Sequence, residues 1–236
     1  MITSNRIVKL DIARTFAILC VVLCHCSEMI YTQQSVKVAE LGISSRIFMF
    51  GTFTIGRLGV PIFLYLSGIL LLKKTIDSDE DIFKFYKNNL FPLFVVNEIW
   101  VILYKLYGVF VLNEKFIFGD LIRELLLLKN STMVNMWYMP MIIGLYIGIP
   151  LLAKIVKSFS FKVICPIMLA IFIFEYIEPM LNVFVRIFNF KETFYSDMNI
   201  PYMGAAYGLY LLIGYYIYNN KLRIKKELLI FLFLAN

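Results

Sequence analysis

Apolar runs long enough to cross a bilayer recur along the chain, at 11–30, 47–72, 90–112, 136–153, 163–181 and 201–218. Each approaches or exceeds the ~20 residues that a helix needs to span a ~30 Å hydrocarbon layer. A backbone crossing that layer must satisfy its amides internally, and no segment shows the strict alternation over about ten residues that marks a barrel strand. The expected fold is therefore all-α, a polytopic transmembrane bundle of six spans. A seventh apolar run opens after Lys225-Lys226-Glu227 and reaches Asn236 in about nine residues, short of a crossing. With 61% hydrophobic residues, the chain has too little polar surface to cover a soluble globule.

The net charge of +7 is scattered between the apolar runs and forms no stripe for nucleic acid. Topology explains it better. The N-terminal segment, 73–89, 154–162 and the residues after 218 together hold 13 Lys and Arg, against 7 in the intervening connections, which places the N-terminus in the cytoplasm. The first span follows that basic entry without a cleavage-type sequence, so it reads as a permanent span.

That first span, Asp11 to Glu28, carries Arg14 and the sole histidine, His25. Eleven positions apart, they share one helix face about 16 Å apart along the axis. From the inner ends of their spans, His25 lies about 21 Å deep and Arg57 about 24 Å, and Lys105 and Trp137 fall near the same level. Ionisable groups inside a membrane helix cost about 2.5–3.5 kcal/mol each and ordinarily meet a partner or line a cavity. Imidazole titrates near neutrality, so His25 suits a general base, and Arg14 suits an anion-binding group at the inner surface. Glu98 and Lys105 share a face two turns apart, expected to be linked through a third group. Glu175 and Glu178 also share a face. The segment 113–134 is amphipathic, with Leu121, Leu125 and Leu128 at helical spacing for a membrane surface. Cys24-His25-Cys26 suggests no metal, because helix neighbours diverge by about 100° and no second histidine exists.

Residues 6–30, with Asp11, Arg14 and His25 in an R-x10-H pattern, resemble the start of the acyltransferase-3 family of integral membrane acyltransferases. Arg57-Leu58-Gly59-Val60-Pro61-Ile62-Phe63 with Ser67-Gly68 resembles the family's second span. Met136-Trp137-Tyr138 through Pro150-Leu151-Leu152 is similar to its tryptophan-led span. The resemblance implies a bacterial cytoplasmic-membrane enzyme that moves an acyl group, commonly acetyl, from acyl-coenzyme A to a hydroxyl of a surface carbohydrate or its precursor.

On that basis His25 is catalytic and Arg14 positions the donor or the histidine. Arg57 and Trp137 contact substrate, while Lys73, Lys74, Lys84 and Lys87 meet the donor phosphates. The family's R-x-x-R in the inner loop is here Lys84 and Lys87, whose ammonium heads do not reproduce a bidentate fork. Family members have about ten spans, so 1–236 reads as a single acyltransferase domain lacking its last part. The expected partners are membrane lipid, acyl-CoA and a hydroxyl acceptor, with no metal and no nucleic acid. Two other readings stay open: a small-solute transporter or binding module lined by Arg14, Arg57, Glu98 and Lys105, and a truncated, inactive relative.

Overall fold

A computed structural model describes residues 7–33, 40–129, 134–188 and 205–222. Its helices are α1 (Val8–Glu28), α2 (Ile43–Arg57), α3 (Gly59–Leu71), α4 (Asp79–Phe85), α5 (Phe91–Phe110), α6 (Phe118–Leu125), α7 (Tyr138–Ser158), α8 (Phe161–Phe172), α9 (Glu178–Ile187) and α10 (Ala205–Tyr218). Among the described residues there is no strand. Among the described residues, five helical stretches have the length and apolarity to cross a membrane: Val8–Tyr31, Ile43–Leu71, Asp79–Phe110, Tyr138–Ser158 and Phe161–Val185. The sixth expected span is represented by the 14-residue α10. The start of a seventh lies outside the described residues.

Prolines decide where these helices bend. Pro61 lacks the N–H that would bond the Arg57 carbonyl, so α2 stops at Arg57 and α3 restarts at Gly59. The segment 73–89 is helical from Asp79 onward and continuous with α5. Ser78 starts it with a capping box: its hydroxyl accepts from the Asp81 amide (3.2 Å) and its amide donates to the Asp81 carboxylate (3.2 Å). The helix then tolerates Pro92 because a wide π-turn, Tyr86–Leu90, precedes it, and the Phe91 amide donates five residues back to Tyr86. The same device, Ile173–Ile177, precedes Pro179 and joins α8 to α9.

The chain divides into two compact units. The first contains α1–α3 and α8–α10. There α1 runs antiparallel to α2 and α3, so close that a Cβ on Gly56 would stand 2.7 Å from the Cys24 Cα and one on Gly59 2.8 Å from the Ala17 carbonyl oxygen. Ser27 donates to the Thr52 hydroxyl across the same seam (3.3 Å). Helix α3 packs closely on α10, with Gly68 against the Leu211 backbone and Gly214 against the Tyr65 backbone. Without a hydrophobic driving force between helices in lipid, such small-residue contact supplies the packing. Leu64, Leu72 and Leu211 fill this core.

Gly68→Val is expected to force α3 and α10 apart and destabilise the fold by about 3 kcal/mol or more. Gly144, whose Cβ would meet nothing within 4 Å, is the control. Thermal unfolding in detergent should show a large drop for Gly68→Val and little change for Gly144→Ala.

The second unit contains α4–α7. Phe85 is buried against Tyr146 of α7, and the Tyr86 hydroxyl donates to the Ile147 carbonyl (2.8 Å) in the turn disturbed by Pro150. Helix α6 docks on α5 through Lys105 and Glu124, 2.7 Å apart. Beyond it Lys129 bonds Asp120 at 2.7 Å, and that hydrogen bond holds the Asp120 carboxyl below its usual range.

Candidate active site

Position 25 lies one turn from the end of α1, and an i, i+3 spacing puts Glu28 on the same face. The His25 Nδ1 lies 3.0 Å from the Glu28 carboxylate, with both side chains a little over one-third exposed. A carboxylate can only accept, so an ionised Glu28 draws the ring proton to Nδ1 and leaves the Nε2 lone pair free. That is the tautomer a general base needs. Glu28 escaped the sequence reading as a site residue. An acid three positions after the sole histidine of an apolar helix was the available signal.

Arg57 ends α2. Its guanidinium rests 5.4 Å from the centre of the Phe53 ring, and among the described residues no carboxylate lies within ion-pair distance of it. The contact of Gly56 with Cys24 joins the segments that carry Arg57 and His25.

Arg14 sits towards the other end of α1, half-exposed, with its Nη1 3.0 Å from Asp11. Eleven residues of helix separate it from His25, about 16 Å of rise. Lys73 stands 6.0 Å over the Tyr218 ring in the first unit.

The remaining candidates belong to the second unit. Lys74 donates to Asn89 (3.0 Å), lies over the Phe85 ring, and accepts at its carbonyl from Lys157; burial lowers its ammonium from the ordinary lysine value. Lys84 and Lys87 are exposed, three positions apart on α4 and the turn after it. Trp137 immediately precedes α7, partly exposed, edge-on to Tyr138 at 6.1 Å. The expected link between Glu98 and Lys105 is not the one the fold makes. Glu98 accepts from Asn97 (3.0 Å), and Lys105 is taken by the buried Glu124, because α6 folds back onto α5 and brings its carboxylate closer than two turns along α5 allow.

Glu175 lies half-buried in the second π-turn, and Glu178 opens α9. All four cysteines are free, and among the described residues no group of three His, Cys, Asp or Glu side chains could hold a metal ion.

One further cluster had no sequence signal, because its members come from three separate elements. Tyr65 of α3 and Tyr176 of the second π-turn both meet the Tyr210 ring edge-on, at 5.4 and 5.7 Å.

Among the described residues, His25 thus has a carboxylate partner, and Arg57 has an aromatic contact and no ion pair. The family model described as an acyltransferase domain matches residues 7–235. No curated protein and no solved structure matches the chain significantly. With nearly its whole length matched and its helices apolar enough to cross a bilayer, the chain belongs to the acyltransferase-3 family and is a membrane acyltransferase.

Proposed function

We propose that this enzyme transfers an acyl group, acetyl in the first instance, from acyl-coenzyme A to a hydroxyl of a surface carbohydrate or its precursor at the bacterial cytoplasmic membrane. The observation that carries this reading is the 3.0 Å contact between His25 and Glu28. His25 Nε2 takes the proton of the acceptor hydroxyl as its oxygen attacks the thioester carbonyl. The new C–O bond forms, the C–S bond breaks, and coenzyme A leaves as the thiolate, which recovers the proton from the imidazolium. Glu28 stabilises the charge on the ring between those events.

Arg57 and Trp137 bind substrate in this scheme, and Arg14 fixes the donor at the inner end of α1. Lys73, Lys74, Lys84 and Lys87 meet the donor's phosphates as point charges rather than as forks. Deleting the gene should remove an acetyl mass increment from a surface glycan, read by mass spectrometry, and the wild-type gene should restore it where His25→Ala does not. A glycan profile unchanged by the deletion would contradict the proposal.

A further inference from the structure

Helix α6 is amphipathic in the opposite sense to a helix that faces water. Its two carboxylates, Asp120 and Glu124, lie one turn apart and turn into the protein, with side chains 22% and 1% exposed. Its large apolar residues do the reverse: Phe118, Ile122 and Leu126, spaced four apart, are all exposed, Phe118 at 66%. Leu121 and Leu125, expected on the membrane side, are instead half-buried on the flank next to Glu124. Phe116 and Ile117 before the helix and Leu128 after it add further exposed apolar surface at its two ends.

Two ion pairs hold the helix in this orientation. Glu124 meets Lys105 of α5 at 2.7 Å. After α6 the chain reverses at Leu127 (φ 56°), the amides of Leu128 and Lys129 both donate to the Arg123 carbonyl (2.8 and 3.2 Å), and Lys129 returns to Asp120 at 2.7 Å. Rolling the helix to cover Phe118 and Ile122 would break both pairs.

The place of this docking along α5 points to what covers the apolar side. Lys105 lies five residues before the end of α5 at Phe110, about 7.5 Å back along the axis. Helix α6 thus folds back alongside the last part of a membrane span instead of standing beyond it. There α5 itself exposes Leu103, Leu106, Tyr107 and Phe110. Exposed side chains on a span meet lipid, so the apolar side of α6 continues a surface that acyl chains already cover.

We infer that α6 is a re-entrant helix seated in the hydrocarbon of the leaflet in which α5 ends, with the acyl chains of membrane lipid against Phe118, Ile122 and Leu126. In that medium the stable arrangement turns carboxylates onto lysines and apolar groups outward. The lipid also keeps water from the pair between Lys105 and Glu124. A helix lying on the headgroups would instead turn its charges to water. The inference does not depend on the acyl-transfer chemistry.

The test places single tryptophans in the full chain, with Trp100→Phe and Trp137→Phe removing the native indoles, reconstituted in phosphatidylcholine liposomes. Phe118→Trp and Ile122→Trp are separate probes, so the result does not hang on one variant, and Glu80→Trp in the exposed first turn of α4 is the aqueous reference. Phosphatidylcholine brominated on its acyl chains should lower the emission of both α6 probes at least about twofold, with acrylamide having little effect, as for side chains immersed below the headgroups. The Glu80→Trp reference should show the reverse. Acrylamide quenching of the α6 probes as strong as that of the reference would put the face in water and overturn the inference. Quenching by neither agent would mean that a protein surface covers the face, and overturns it equally.

Discussion

His25→Ala is expected to lower kcat for acyl transfer by about 10³-fold, within the 10²–10⁴ range that a positioned general base contributes. Glu28→Gln should fall between that variant and the wild type, at about 10- to 100-fold. The amide keeps the size of the side chain but supplies no charge to draw the ring proton to Nδ1 or to stabilise the imidazolium. Both side chains are more than one-third exposed, so neither substitution opens a cavity, and both variants should elute from size exclusion in detergent like the wild type. Initial rates of coenzyme A release at saturating acetyl-CoA check the order. Equal rates for Glu28→Gln and wild type would reduce the carboxylate to a surface partner of the histidine.

Glu124→Ala is expected to have the largest effect on stability. Lys105 and Glu124 are 2.7 Å apart with side chains 11% and 1% exposed, so removing the acid strands an ammonium in a poorly solvated place. Breaking one side of a buried pair costs about 3–5 kcal/mol. The pair is what ties α6 to α5, so the damage should be local first, with the connection between those helices cut early in limited proteolysis. The double variant Lys105→Met/Glu124→Leu should recover most of the loss, because apolar groups of similar volume remove the charge that the single variant strands. Thermal unfolding in one detergent compares all three. A single variant as stable as the wild type would mean that water reaches the lysine.

Five of the expected spans were legible because a membrane helix states its length and apolarity directly. The continuity of α4 with α5 was hidden. Pro92 and the charged residues before it look like the end of a loop, and only a shift in hydrogen-bond register, invisible in side-chain pattern, lets the helix run through. Within α1 the histidine stood out as the sole imidazole of an apolar run. Glu124 and the tyrosines were not readable, since their partners lie 19 to 145 residues away and depend on which helices meet.

Coenzyme A release by the purified full chain, reconstituted in liposomes with acetyl-CoA and a hydroxyl acceptor, tests the His25–Glu28 dyad most directly. The account predicts acceptor-dependent thiol release that His25→Ala reduces about 10³-fold. Release at the wild-type rate from the His25→Ala protein would contradict it.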